Sequence, residues 1–191
     1  MNVSRLLQRF ALLSLFVLAG CATGPMISSD SDPQADFANY RSYAFYSPLA
    51  VEPKGYSTPA SNTMKSAVRR EMEARGYVYD ETAPDLLVNL NAYVSERQDV
   101  VSMPEVNYAY YYSYRANAYF AMPFWGERTS VHRYREGTLN VDLVDARAKR
   151  LVWEGVAVGR VARLKPADRE QRINATIGEI FAQYPHRAGG R

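Results

Sequence analysis

Three observations predict an α+β domain, an antiparallel or mixed sheet of about five strands with two helices packed on one face. Met64, Ala67, Val68 and Met72 recur at helical spacing, as do Ile173, Ile177, Ile180, Phe181 and Tyr184, and such stripes bury one side of a helix. Between these two regions, short stretches alternate apolar and polar residues with period two, which marks half-buried strands. The chain is 47% hydrophobic and 23% charged, a globular composition with enough apolar surface for one core. Strands grouped between two distant helices give an α+β layering rather than a βαβ repeat.

The chain opens on a targeting pattern. Arg5 and Arg9 precede an apolar run from Phe10 to Ala19, and small Ala19 and Gly20 stand before Cys21; that order is a signal peptide. The run is about half of the roughly 20 apolar residues that a membrane span needs. Leu18-Ala19-Gly20-Cys21 is similar to the lipobox of bacterial lipoproteins, in which the cysteine thiol receives a diacylglycerol and the new amino terminus a third acyl chain. The similarity implies that residues 1–20 are removed and that Cys21 is the lipidation site, so the partner at this end is a membrane. One acyl chain alone binds at about 10⁴ M⁻¹ and each further buried CH₂ adds about 0.8 kcal/mol, so three chains hold permanently. Ala22 stands where Asp would resemble an inner-membrane retention signal, which points to the periplasmic face of an outer membrane. Cys21 is the only cysteine; its acylation leaves no thiol for a disulfide or for catalysis.

Residues 21–35 read as a flexible tether. Ser28 to Pro33 is polar and acidic, with little to bury, and it lacks the glycine and closing glutamate of a calcium loop. A single domain over 36–186 follows. Phe37, Tyr40, Tyr43 and Phe45 lead into a first strand that Pro48 ends. Pro48, Pro53, Gly55 and Pro59 mark a loop. A helix starts near Ala60, with Ser57 or Thr58 as cap and Pro59 in its first turn, and Gly76 provides a left-handed stop. Tyr77 to Tyr79 is a short extended piece. Leu86 to Val94 is a strand with Leu86, Val88, Leu90 and Ala92 on one face and Leu87, Asn89, Asn91 and Tyr93 on the other, a face suited to water or a partner. Thr129 to Arg135 reads as another strand, and Gly137 as a bulge or turn. Leu139, Val141 and Leu143 then alternate, Asp145 to Lys149 turns, and Leu151 to Val158 returns, too apolar on both faces for an edge. Trp153 in that strand reads as core. Pro166 opens the second helix, Asp168 and Glu170 suit its first turn, and Pro185 stops it. His186 to Arg191 reads as a fraying tail.

Asp36-Phe37 through Tyr43-Ala44-Phe45, Arg75-Gly76-Tyr77, Pro84-Asp85-Leu86-Leu87-Val88, Gly137-Thr138-Leu139 and Leu151-Val152-Trp153 occur in this order. In that series the chain resembles an uncharacterised lipoprotein domain of Gram-negative bacteria, domain of unknown function 4136, over most of residues 36–185. The resemblance implies the fold and the location; it brings no activity with it.

Residues 106–125 stand apart as a tyrosine-rich insertion. Nine of these twenty are aromatic, against 15 Tyr, 7 Phe and 2 Trp in the whole chain. Tyr108, Tyr110, Tyr112 and Tyr114 alternate with other residues, which lines four phenols along one face of a strand; Trp125 closes the segment. Two readings stand. The segment is a loop or hairpin laid over the sheet, its rings adding buried area, or it is a binding platform, since flat rings with polar tips suit sugar faces, peptides and the headgroup zone.

Charge and motifs narrow the function. Residues 22–127 carry a net charge of about −5 and residues 128–191 about +6. A nucleic-acid partner is excluded for an exported lipoprotein, so the asymmetry reads as two halves packing or as a basic face toward anionic lipid. His132 and His186 are the only imidazoles and have no nearby ligand-spaced residues, so no metal and no cofactor is expected. No nucleophile elbow, phosphate loop or metalloprotease motif occurs. Asp142 and Asp145 bracket a hairpin turn, where Asp is common for its hydrogen bonding, and no catalytic residue is assigned. The expectation is a lipid-anchored, non-catalytic envelope protein, with Tyr108, Tyr110, Tyr112, Tyr114 and Trp125 meeting an envelope protein or glycan. The alternative is a hydrolase or transferase acting on an envelope polymer.

Overall fold

The computed structural model describes residues 24–190; the expected signal peptide and the expected lipidation site, Cys21, lie outside the described residues. The element order is β1 Met26–Ser31, β2 Ser42–Phe45, α1 Pro59–Ala74, β3 Val78–Tyr79, β4 Leu86–Ser113, β5 Ala118–Asp145, β6 Arg150–Arg160 and α2 Pro166–Ala182. The strands form one mixed sheet in the order β1-β6-β5-β4-β2-β3. β2 is parallel to both β3 and β4, and the remaining pairs are antiparallel. This is the predicted α+β class with one strand more than expected.

Local chemistry accounts for the helix ends. Thr58 accepts from the Ser61 N–H at 3.0 Å while the Ser61 hydroxyl accepts from the Thr58 N–H at 2.8 Å, a reciprocal capping box with Pro59 at the first helical position. At the other end Gly76 takes φ +87°, which only glycine adopts without strain, and the Tyr77 N–H returns to the Met72 carbonyl at 3.1 Å. That turn sends Tyr77 inward, where its hydroxyl meets the Tyr184 hydroxyl at 2.8 Å.

Both helices cover the same face of the sheet. Val68 and Met72 of α1 and Ile177, Ile180 and Phe181 of α2 share one core with Leu86, Val88, Leu90, Val141, Leu143 and Trp153. Although β5 and β4 hold the centre, strand β6 lies inside the sheet between β1 and β5 and is not an edge, as its two apolar faces predicted. Its register steps from Leu143–Trp153 to Val144–Leu151, so Val152 is the extra residue of a bulge, and both Val152 and Trp153 are buried. The irregularity falls there and not at Gly137, through which β5 runs unbroken.

Three expectations are corrected. Residues 21–35 are not tether throughout: Met26 to Ser31 pairs antiparallel with Val158 to Trp153 as an edge strand. The pairing is made by backbone groups, so a polar sequence gave no sign of it. The separate strands at 86–94 and 129–135 are parts of β4 and β5, and the segment 106–125 is the far end of their hairpin, not an insertion laid over the sheet. The tail does not fray over its described part: His186 stacks on Phe37 at 3.7 Å, and the Ala188 and Gly189 N–H groups donate to the Arg75 and Tyr40 carbonyls at 3.1 and 3.0 Å.

Candidate functional site

β4 and β5 pair from Leu86–Asp145 to Ser113–Ala118 without interruption. β6 leaves β5 at the Glu136–Arg160 pair, and β2 pairs with β4 only over Leu86 to Val88. Beyond Ser95–Glu136 the hairpin therefore continues alone, over roughly 60 Å at about 3.4 Å per residue. Ion pairs lie along its shaft: Arg97 with Glu136 at 3.0 Å, Arg160 with Asp99 at 3.1 Å and Arg128 with Glu105. The Arg160 guanidinium also lies 4.2 Å over the Tyr134 ring. Exposed pairs of this kind each contribute little.

Register sorts the rings. Val106, Tyr108, Tyr110 and Tyr112 face the same way as Trp125, Pro123, Ala121 and Tyr119 directly across from them, because pairs two residues apart share a face. Four of the five predicted binding residues thus stand on one face. Tyr114 lies in the turn instead, its ring edge-on to Tyr112 at 5.0 Å. Asn117 takes φ 50° in the same turn and accepts a hydrogen bond from the Tyr112 hydroxyl. The rings are displayed, not buried: Tyr108 is 59% exposed, Tyr110 72%, Tyr114 91% and Trp125 76%, while Tyr112 is half-buried between Tyr114 and Tyr119. Of the two readings of this segment, the geometry rules out rings laid over the sheet.

The reverse face is apolar as well. Tyr111 stacks on Phe120 at 5.7 Å, and Met122 and Phe124 continue that row, exposed. Tyr119 and this second row were not among the expected contact residues. A turn centred on 114–117 would have revealed them, since it fixes which residues lie opposite. Within 106–125 the only charge is Arg115. An isolated two-stranded ribbon is marginally stable in water, and an exposed apolar patch of this extent is characteristic of an interaction surface.

Asp142, Asp145, His132 and His186 do not converge. Asp145 accepts from the Tyr40 hydroxyl at 2.9 Å and from the Arg147 and Ala148 N–H groups at 2.8 Å, a turn-capping role. Asp142 lies elsewhere, accepting from the Asn89 amide at 3.1 Å on the sheet face away from the helices. His132 sits on the hairpin shaft beside Ser130 and His186 in the docked tail. Among the described residues no three His, Cys, Asp or Glu side chains gather in a metal-binding group, and no helix is long and apolar enough to cross a membrane.

Asp142 carries a pH signature. Burial raises its pKa above the usual 3.8, the Asn89 amide partly offsets this, and the carboxylate of Glu154 adds to the rise. A raised folded value makes ionisation cost stability; the cost is absent below pH about 3.8 and complete above the folded pKa. Asp142→Asn should therefore raise the urea midpoint at pH 7, with the two proteins converging near pH 3.5. A variant less stable than the parent at pH 7 would show that the Asn89 bond outweighs the burial.

Comparison with known proteins gives the following. The model of the domain of unknown function family DUF4136 matches residues 27–186. A DUF4136 family protein from Bacteroides thetaiotaomicron is similar in structure at 15% identity with a TM-score of 0.53, over 88% of this chain and 100% of that one. A PDZ domain protein from Parabacteroides distasonis is similar at 16% identity with a TM-score of 0.56, over 100% of this chain. The chain spans 42% of the length of that protein. At these identities the likeness is one of fold. No curated protein matches the chain.

Proposed function

The chain belongs to the DUF4136 family of domains of unknown function, and from that premise we propose that it is a lipid-anchored envelope protein that binds rather than catalyses, with the hairpin tip as its contact organ. The observation that carries this reading is the two-sided display of Tyr108, Tyr110, Tyr119 and Trp125 with Phe120, Met122 and Phe124, at the end of a ribbon that nothing else in the described chain covers. Rigid rings with hydroxyl tips supply contact area at low entropic cost, and truncation of such anchors dominates binding energies. The separation of Asp142, Asp145, His132 and His186 supports binding over hydrolysis, because acid–base chemistry needs its groups within reach of one bond. The sequence around Cys21 supports the anchor, with the domain facing the periplasm from the outer membrane.

The anchor has a direct test. Cells expressing the full chain and fed labelled palmitate should incorporate label, and Cys21→Ala should abolish it. Undiminished labelling of the variant would remove the anchor at Cys21. The contact role is tested separately, by whether the domain associates with isolated envelope fractions through its hairpin tip.

A further inference from the structure

The helices cover only part of their sheet face. Toward the hairpin, most residues on that face are small: Ala92 on β4, Gly137 on β5, and Ala157 and Gly159 on β6, with Leu139 and Val94 between them. A side chain at Gly137 would run into Val161, and one at Gly159 would press on Pro25 at 3.2 Å. Beside these residues runs a groove of about 340 Å³ walled by Met64 and Ile173, within the size range of small-molecule sites. Its lining is mostly apolar and includes no acidic residue.

The rim is cationic. Arg160, Arg169 and Arg172 all line the groove. Arg160 is engaged by Asp99; the Arg169 guanidinium donates one hydrogen bond, to the Leu164 carbonyl at 3.4 Å; and neither Arg169 nor Arg172 has an ion-pair partner among the described residues. The groove also lies where the anchor enters the domain. Pro25 is part of its wall, four residues after Cys21, and four residues span at most about 14 Å. A membrane holding Cys21 is within reach of this groove.

We infer that the groove seats one acyl chain of an anionic phospholipid, with Arg169 and Arg172 meeting the headgroup phosphate. An apolar trough whose rim carries two arginines without ion-pair partners among the described residues matches an amphiphile with an anionic head, and attachment through Cys21, on which this inference rests, would keep that lipid at high local concentration. The bound lipid would fix the domain's orientation on the membrane, which a tether alone does not do.

The test uses residues 22–191, which carry every core residue described above, and vesicles of phosphatidylglycerol or phosphatidylcholine in a co-sedimentation assay. Binding should favour phosphatidylglycerol and weaken with salt. Arg169→Gln with Arg172→Gln should weaken it roughly thirtyfold, at about fivefold per charge near an anionic surface. Ala92→Trp should fill the trough, and exclusion of two or three methylenes weakens binding roughly tenfold or more, with the melting temperature maintained. Should Ala92→Trp fail to fold, the arginine pair and the choice between lipids decide. Equal binding to both lipids would overturn the inference, as would indifference to the arginine pair. So would full competition by the water-soluble headgroup glycerophosphoglycerol, which has no chain to seat. Loss of binding only when the hairpin tyrosines are replaced would assign lipid contact to the ribbon instead. None of these outcomes depends on palmitate labelling, so failure of the groove and failure of the anchor read separately.

Discussion

Trp153→Ala should destabilise the domain by roughly 3–5 kcal/mol, the range for removing a large buried aromatic. The indole is 1% exposed, with Tyr184 4.9 Å and Phe181 5.8 Å from it between ring centroids. It lies over Gly155, where any side chain would collide with both the indole and Ile180. The indole N–H has no hydrogen-bond partner, so the loss is packing and cavity formation with no polar contribution. Trp153→Phe should accordingly cost less than half as much, since it keeps a ring and removes the unpaired donor. Domains of this class are stable by about 5–15 kcal/mol, so the alanine variant should lose about a fifth of that or more and melt on the order of 10 °C lower. Urea unfolding of the two variants checks both values. An alanine midpoint equal to the parent's would contradict the packing of β6 against α2.

The second large effect is on binding. Replacing Tyr108, Tyr110, Tyr112 and Tyr114 together by serine should change global stability by about 1 kcal/mol, because exposed substitutions usually fall within about 0.5 kcal/mol each. Most of that loss should come from Tyr112, the one half-buried ring, which also donates to Asn117. Association with isolated envelope fractions should fall at least a hundredfold, since two or more aromatic anchors are each worth about 2 kcal/mol at a contact centre. Trp125→Ala, on the same face, should give a smaller loss in the same direction. Thermal melts and a pull-down of residues 22–191 separate the outcomes. A variant that unfolds early yet associates as the parent does would make the ribbon tip structural and remove it from the binding role.

The core and both helices were legible in the sequence because their determinants are local. Helical spacing at Met64–Met72 and Ile173–Tyr184, the Thr58 and Pro59 start and the Gly76 stop each act within a turn or two of chain, and alternation at Leu86–Leu90 and Leu139–Leu143 reports which side of a strand is buried. The lipobox-like stretch is likewise a linear signal. The four tyrosines at 108–114 were visible as a periodic row.

Tertiary structure decided the rest through contacts that leave little trace in side-chain type. Whether Met26–Ser31 is tether or strand depends on the free edge of β6, which donates and accepts through backbone groups whatever the sequence opposite. Whether the tyrosine row is buried or displayed depends on the reach of the helices: α1 and α2 still flank Ala92 to Val94 and Gly137 to Leu139, while β4 and β5 continue to Ser113 and Ala118. The small residues Ala92, Gly137, Ala157 and Gly159 floor a trough only when three strands bring them side by side beneath Met64 and Ile173. Sequence alone determined which residues prefer burial and which turns they can make; the fold determined which surfaces were left with nothing to cover them, because coverage depends on how far one element extends past another.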